Sequence, residues 1–357
     1  MKLQEQKAMS VSQTSLAWPD SITTLLEKVA SIPTKLRKRV ARMFAHIVSL
    51  PAQISWGLSK PLFIEKNIFY SRYQKALKEH ESNLPTLDLM EANIVEELDR
   101  KGICVTSLES LGIPNTAEFF QAAKKVSQEL REMASLPAYK GNYEVHATTA
   151  QLMKRKEVFY WGLNDRVLKI VESYLRLPVA YDGVYCVLSV ADGREIGPRA
   201  WHRDREDRRM VKVCVYLNNV NENGGPFQCL QPEINSLVCN SIKHRYKSVF
   251  HNEMEEFFSA STSDKLVSCT GSAGTVIFVD TAHYYHRGLP PTKSNRCALF
   301  FSYFSRRPWH PFFCQRSPYS DKEINCLAKG LSPHQQACVH WKNDLPKAVK
   351  WIPKSRI

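Results

Sequence analysis

One stretch constrains this chain more than any other: an apolar run of strand composition, preceded by a closely spaced histidine and aspartate. The run covers residues 210–217, which are mostly β-branched, aromatic or otherwise apolar and include neither Pro nor Gly. His202 and Asp204 stand two positions apart just before it. On an extended backbone, residues two apart point to the same face. The stretch therefore predicts a strand that presents an imidazole and a carboxylate side by side.

A histidine and an aspartate on one face are part of a metal site, and the chain offers a third ligand at His286, within residues 280–288. Two histidines and one carboxylate form the facial triad of non-haem Fe(II) oxygenases, because three ligands on one face leave three positions open. The His-x-Asp pair alone is weak, since a surface histidine beside a solvated aspartate is common. The residues after His286 strengthen the interpretation.

A candidate anion-binding residue lies beyond His286. Residues 289–295 are rich in turn formers, and a second run of strand composition begins at Arg296. Two strands joined by such a turn are typical of an antiparallel pair, in which Arg296 would lie beside His286. A guanidinium can hold a carboxylate through two hydrogen bonds, which a lysine does less well. Together with the metal ligands, Arg296 indicates a 2-oxoglutarate site; an exposed or ion-paired arginine is the alternative.

Several segments, in order and approximate spacing over about residues 90 to 315, resemble the phytanoyl-CoA dioxygenase family of Fe(II)/2-oxoglutarate oxygenases. They are His202-Arg203-Asp204, Val215-Tyr216-Leu217, Gly224-Gly225-Pro226, residues 280–288 and Arg296. The resemblance implies a mainly β fold with flanking helices: a double-stranded β-helix, or jelly-roll (cupin-like) core, after an N-terminal helical region.

The resemblance also implies a role for each site residue. His202, Asp204 and His286 would bind Fe(II), and Arg296 would bind the distal carboxylate of 2-oxoglutarate. The expected reaction uses O2 to hydroxylate a small organic or acyl substrate, with release of succinate and CO2. Halogenating relatives carry a small residue in place of the carboxylate, so Asp204 favours hydroxylation or another oxidation.

Other residues compete for these roles. His283 precedes His286 by three positions, so on a strand the two face opposite sides, and the His-x-Gly step of the resembled motif selects His286. His244 and His251 are expected at the surface. Lys212 is a second candidate contact for 2-oxoglutarate, although a lysine extending to solvent explains it equally well. Residues 140–156 lack periodicity and are expected to form a loop that lines or covers a pocket, with His146 a candidate substrate contact or a solvated histidine.

Length and composition fit one large or two modest globular domains: 357 residues, with 43% hydrophobic side chains. We expect a basic helical extension at residues 1–85, the dioxygenase domain at 86–315 and a basic extension at 316–357. The ten cysteines include no CxxC pair and several lie in apolar runs, which favours reduced, buried thiols in the cytoplasm. No stretch has the apolar length of a membrane span.

The net charge of +14 is concentrated at the two ends. Residues 1–80 carry 13 Lys and Arg against 5 Asp and Glu, and residues 306–357 carry 10 against 3. Basic ends suggest an anionic surface or a carrier as partner, and solvated charge is the simpler interpretation. A basic amphipathic helix expected at residues 34–48 fits membrane or carrier docking, but packing against the protein is favoured. The sequence contains no recognised nucleic-acid module.

Two alternative functions remain open. The first is a zinc-dependent hydrolase on the same metal site, since two histidines and a carboxylate with an open position also suit catalytic zinc. The second is a non-catalytic jelly-roll binding protein whose basic tails engage a membrane or nucleic acid. Neither alternative requires Arg296 after the last histidine, so the oxygenase is the preferred hypothesis.

Overall fold

The computed structural model describes residues 65–242, 248–259, 265–314 and 317–350, together with isolated positions at 50, 51, 54 and 57. The chain divides into two units, with the boundary between Leu50 and Pro51. The amphipathic helix expected at residues 34–48 lies outside the described residues. The candidate site residues all belong to the larger unit.

Twelve α-helices and nine strands succeed one another in chain order within the described residues. The helices are α1 Ser71–His80, α2 Leu89–Lys101, α3 Leu108–Leu111, α4 Thr116–Ser135, α5 Thr149–Met153, α6 Lys156–Trp161, α7 Asp165–Leu175, α8 Pro232–Ser241, α9 His251–Ser259, α10 Asp321–Leu327, α11 Pro333–Val339 and α12 Lys347–Lys350. The strands are β1 Ile103–Ser107, β2 Glu144–His146, β3 Val179–Ser189, β4 Val211–Tyr216, β5 Phe227–Leu230, β6 Leu266–Cys269, β7 Thr275–Asp280, β8 His286–Gly288 and β9 Arg296–Ser305.

The strands form two antiparallel sheets. The larger has six strands in the order β1-β7-β4-β9-β3-β2, and the smaller has three in the order β6-β5-β8. One buried cluster takes side chains from both sheets, including Cys214 and Phe300 from the larger and Phe227 and Cys269 from the smaller. The two sheets therefore face each other around a shared interior. This jelly-roll core with flanking helices confirms the predicted fold class.

Helices cover the opposite face of the larger sheet. Side chains that alternate with the interior ones, such as Val213 and Phe301, share a second cluster with α4, α6 and α7. The sequences of these strands of the larger sheet are nearly continuous apolar runs, because both faces of the sheet are buried. Phe119 and Trp161 stack at 4.6 Å between ring centroids and anchor α4 and α6 on this face. None of the helices in the described residues combines the length and apolar character needed to span a bilayer.

A glycine separates the first long helix from the first strand. Asp88 and Glu91 form a capping box at the start of α2. Gly102 ends the helix at a φ of 73°, and its amide donates to the carbonyl of Leu98. The ring of Tyr284 lies where a β-carbon on Gly102 would stand. The helix end is thus packed directly under the segment that leads to β8.

The predicted hairpin between His286 and Arg296 is wrong. β8 pairs with β5 in the smaller sheet, whereas β9 pairs with β3 and β4 in the larger. The segment between them therefore crosses from one sheet to the other instead of forming a tight turn. The turn formers were interpreted correctly as a connection, but local sequence does not specify which sheet each strand joins.

Candidate metal centre and its cavity

The backbone brings the three predicted metal ligands together. His202 and His286 form an antiparallel bridge, each donating its amide to the carbonyl of the other at 3.0 Å. The amide of Asp204 donates to the carbonyl of Thr281 at 2.8 Å. One ligand atom from each of His202, Asp204 and His286 lies within 4.8 Å of the other two, so the three side chains can share one metal ion.

Both imidazoles are held in the orientation that a ligand needs. Nδ1 of His202 donates to the carbonyl of Ala200 at 2.8 Å, and Nδ1 of His286 donates to that of Tyr284 at 3.1 Å. A neutral ring that donates from Nδ1 carries its lone pair on Nε2, which becomes the ligating atom. Phe227 stacks on His286 at 5.6 Å between centroids and fixes its plane.

Burial keeps His286 in the form that binds metal. Desolvation, and then the neighbouring His202, lower the pKa of His286 well below its ordinary value. A neutral imidazole is the metal-binding form, because the imidazolium has no lone pair to give. Nε2 of His286 lies 3.8 Å from Oδ2 of Asp204, so a neutral nitrogen and a carboxylate oxygen face each other across the site.

Lys212 enters the site from β4. Its Nζ lies 2.5 Å from Oδ2 of Asp204, and both side chains are almost completely buried. The lysine therefore does not extend to solvent, which was the alternative offered by the sequence. Its ammonium contacts the candidate ligand carboxylate, and it also lines the same cavity as Arg296.

The turn that carries His286 is held by a residue that sequence reasoning did not single out. Oδ1 of Asp280 accepts the amides of Ala282 and His283 at 3.0 and 3.1 Å. Its Oδ2 accepts the hydroxyl of Tyr174 at 2.7 Å. An aspartate at the end of a strand that binds amides two and three residues on is typical of a turn. Asp280 could have been recognised from that position.

Arg296 is buried at the start of β9 and lines the same cavity as the three ligands. Its Nη1 donates to the carbonyl of Gly225. Gly288 lies so close that a β-carbon there would overlap Nη2 of the guanidinium. The predicted proximity of Arg296 to the last histidine's strand is therefore present, although it arises across the two sheets.

The cavity above the ligands has a volume of about 750 Å³. Besides the ligands, Lys212 and Arg296, its lining includes the charged or polar side chains of Tyr143, Glu144, His146, Arg203, Arg205, Ser248 and Ser317 and the apolar side chains of Tyr185, Val187, Phe300 and Phe313. The segment expected as a loop at residues 140–156 supplies part of this wall, through β2 and Tyr143. Glu144 and Tyr185 were not predicted; alternation along β3 was the only signal for Tyr185, and the segment around Glu144 gave none.

The competing histidines lie elsewhere or outside the described residues. His283 is exposed, and it is not among the residues that could hold a metal ion. His251 is exposed on α9, with its Nε2 3.8 Å from Oε1 of Glu255. His244 lies outside the described residues. His146 has a side chain that is 57% exposed at the cavity's edge, so it is both a lining residue and partly solvated.

No protein-family model matches the chain, and no curated protein matches its sequence. Among solved structures, the chain is similar to the epimerase SnoN in complex with Fe3+, alpha-ketoglutarate and nogalamycin RO, at 15% identity and a TM-score of 0.42 over 60% of this chain and 84% of that one. It is similar to HygX from Streptomyces hygroscopicus with nickel, 2-oxoglutarate and hygromycin B, at 15% identity and a TM-score of 0.39 over 60% and 86%. It is also similar to EctD from S. alaskensis with 2-oxoglutarate and 5-hydroxyectoine, at 17% identity and a TM-score of 0.41 over 62% and 79%.

Proposed function

We propose that the chain is a non-haem Fe(II)- and 2-oxoglutarate-dependent dioxygenase of the phytanoyl-CoA dioxygenase family, hydroxylating a small organic or acyl substrate. The observation that carries the proposal is the convergence of His202, Asp204 and His286 in the cavity that also contains the buried guanidinium of Arg296. A 2-oxoglutarate oxygenase needs both groups in one cavity, because the co-substrate must reach the metal and be held at its far end.

The donor set fits a divalent iron ion. Two neutral imidazoles and one carboxylate are borderline and hard ligands that suit Fe(II), and three ligands from one side leave positions for a co-substrate and O2. Their proximity of 4.8 Å or less is compatible with bonds to a shared ion after small side-chain movements. The cavity on the open side gives a bound metal access to a substrate.

The positive charges of the cavity fit 2-oxoglutarate, which carries two carboxylates. Arg296 would hold the distal carboxylate through its planar guanidinium, and Gly288 leaves the space that this side chain occupies. Lys212 adds a second buried positive charge beside the metal ligands. A buried cationic group near an anionic co-substrate lowers the cost of removing both charges from water.

When bound, iron and 2-oxoglutarate would supply oxidative activation of a substrate C–H bond, with release of succinate and CO2. The chain contributes placement and exclusion of water. The bridge between His202 and His286 fixes the ligands, and Phe227 holds the plane of one ring. Tyr185 and Phe300 stack at 5.1 Å and form an apolar wall for the substrate, which limits access of water to the reacting carbon.

The two alternatives account for fewer of these residues. A zinc hydrolase would use the same three ligands, but it has no need for a buried guanidinium in the same cavity. A binding protein that acts through its basic tails needs neither the ligands nor the cavity. The phytanoyl-CoA dioxygenase assignment rests on the sequence motifs around His202, Gly225 and His286.

The experiment is an assay of succinate release by the full chain with Fe(II) and 2-oxoglutarate. Slow uncoupled turnover without a substrate is expected in air and not under nitrogen. Arg296→Gln should raise the Kd for 2-oxoglutarate by about a hundredfold, because a charge-assisted bidentate contact is lost. Arg72→Gln, an exposed arginine on α1, is the control and should behave as wild type. Absence of 2-oxoglutarate binding by the iron-loaded protein would refute the proposal.

A further inference from the structure

A largely buried carboxylate lines the cavity and takes no part in the proposed metal chemistry. The side chain of Glu144 is 10% exposed and lines the cavity. Its Oε2 lies 3.4 Å from Nε2 of His146, and no donor within the described residues hydrogen-bonds its carboxylate. A carboxylate withdrawn from water in this way lacks the donors that normally offset the cost of its burial.

Asp207, by comparison, is a buried carboxylate with several donors. Asp207 accepts hydrogen bonds from the amides of Arg208, Ser305 and Trp309 and from the hydroxyl of Ser305. Within the part of the chain that the structure describes, the acidic residues that line the cavity are Glu144 and Asp204, and Asp204 already has the ammonium of Lys212. The carboxylate oxygens of Glu144 can therefore accept further hydrogen bonds from a molecule in the cavity.

The strand register separates Glu144 from the co-substrate end of the cavity. Glu144 on β2 is opposite Ser189 on β3, which is opposite Arg296 on β9. Strands in a sheet lie about 4.8 Å apart, so the backbones of Glu144 and Arg296 are roughly 10 Å apart. Val145, between Glu144 and His146, is buried in the helix-side cluster, so its two neighbours face the interior of the barrel.

An aromatic wall adjoins the carboxylate. The ring of His146 lies 6.4 Å from that of Tyr185, which stacks on Phe300 at 5.1 Å. A ligand that fits this region combines an apolar or aromatic body, packed on the rings, with a hydrogen-bond donor directed at Glu144. Carboxylates bind amines and alcohols through short, charge-assisted hydrogen bonds.

We infer that Glu144 is a specificity-determining residue that accepts hydrogen bonds from an amine or hydroxyl group of the substrate. The inference rests on the proposed function in one respect, which is that this cavity receives the substrate. Glu144 would select against substrates with a carboxylate at that position, because two negative charges would then lie close together in a partly desolvated part of the cavity. Arg203 and Arg205 line the same cavity and would favour substrates with a carboxylate. A preference for the amine or alcohol over the carboxylate would therefore point to Glu144, and the reverse preference would point to the arginines.

The test uses three probes that share a phenyl ring and differ in one group: benzylamine, benzyl alcohol and benzoate. Binding is measured by ligand-observed NMR on the full chain, both metal-free and loaded with diamagnetic Zn(II) and 2-oxoglutarate. We expect benzylamine or benzyl alcohol to bind about tenfold more tightly than benzoate, and the tighter of the two identifies the donor as amine or hydroxyl. Glu144→Gln and Glu144→Ala should each remove that preference.

Glu157→Gln, which changes an exposed glutamate on α6, is the matched control and should keep the wild-type order. Tightest binding by benzoate, failure of all three probes to bind, or an order unchanged in both Glu144 variants would overturn the inference. The metal-free arm separates the two proposals. If the preference depends on Glu144 but 2-oxoglutarate does not bind, the inferred role of Glu144 stands and the oxygenase proposal is refuted. If 2-oxoglutarate binds but no preference depends on Glu144, only the inferred role of Glu144 is refuted.

Discussion

The ammonium of Lys212 lies 2.5 Å from the carboxylate of Asp204, inside the group of residues that could hold a metal ion. Without Lys212, the triad would carry one negative charge; with it, the local charge is close to zero. A divalent cation gains less from a carboxylate that already has a cationic partner. We therefore expect metal binding at this site to depend on the two negative charges that 2-oxoglutarate would bring.

Lys212→Met should therefore raise the affinity for Mn(II) in the absence of 2-oxoglutarate, by about tenfold, since methionine keeps an unbranched stem and removes the charge. The metal-free variant should be less stable, because removing one partner of a buried ion pair costs about 3–5 kcal/mol. Mn(II) binding followed by electron paramagnetic resonance and thermal unfolding measure the two effects. Lys293→Met, at an exposed lysine, is the control. Unchanged or weaker Mn(II) binding by Lys212→Met would contradict this account.

His286→Ala and His283→Ala form a matched pair on the same turn. The first removes a buried imidazole of the triad, and the second removes an exposed one three residues earlier. We expect His286→Ala to weaken Zn(II) or Mn(II) binding at least about a hundredfold, as loss of one of three ligands should, and His283→Ala to leave it within about twofold. Isothermal titration with either metal checks this. Equal losses in the two variants would mean that the assignment of the third ligand is wrong.

Gly288→Ala tests the position of Arg296 without altering the arginine. The new β-carbon would overlap Nη2 of Arg296, so the guanidinium must move away from the place where it would hold a carboxylate. We expect the Kd for 2-oxoglutarate to rise about tenfold while Mn(II) affinity stays near the wild-type value. Gly57→Ala adds a β-carbon that meets nothing within 4 Å and serves as the control. A normal Kd for 2-oxoglutarate in Gly288→Ala would show that the guanidinium does not bind it from this position.

Asp207 should make stability depend on pH. Burial raises its pKa to about 6, although hydrogen bonds from Ser305, Arg208 and Trp309 oppose that shift. The folded state holds the proton more tightly than the unfolded state, in which the pKa is about 4. The stabilising contribution is therefore complete below about pH 4 and is lost as the pH rises through about 6, a change of about 3 kcal/mol.

The comparison with Asp207→Asn isolates this effect, because asparagine does not titrate. We expect the unfolding free energy of the wild type minus that of the variant to fall by about 3 kcal/mol between about pH 4 and pH 7. Urea titrations at several pH values across that range measure the difference. A difference that stays constant, or rises with pH, would show that the carboxylate is not destabilised by burial.

Local sequence determined much of this protein. The composition of residues 210–217 and 296–304 predicted strands, and β4 and β9 lie there. Gly102 follows α2 directly, and the backbone there has the positive φ that glycine adopts without strain. The pairing of His202 with Asp204 and the choice of His286 over His283 came from two-residue alternation and a motif, which are properties of the chain alone.

Tertiary structure decided the rest, because it depends on which strands become neighbours. His286 and Arg296 were expected in one hairpin, yet β8 and β9 joined different sheets and the two side chains line one cavity from opposite sheets. The sequence did not predict the ion pair between Lys212 and Asp204, which forms because β4 places the lysine beside the aspartate. Glu144 lies in a segment without periodicity, and only its pairing with β3 put its carboxylate into the cavity. Residue type and spacing specify which groups a chain can offer, whereas contacts between distant segments specify which of them meet.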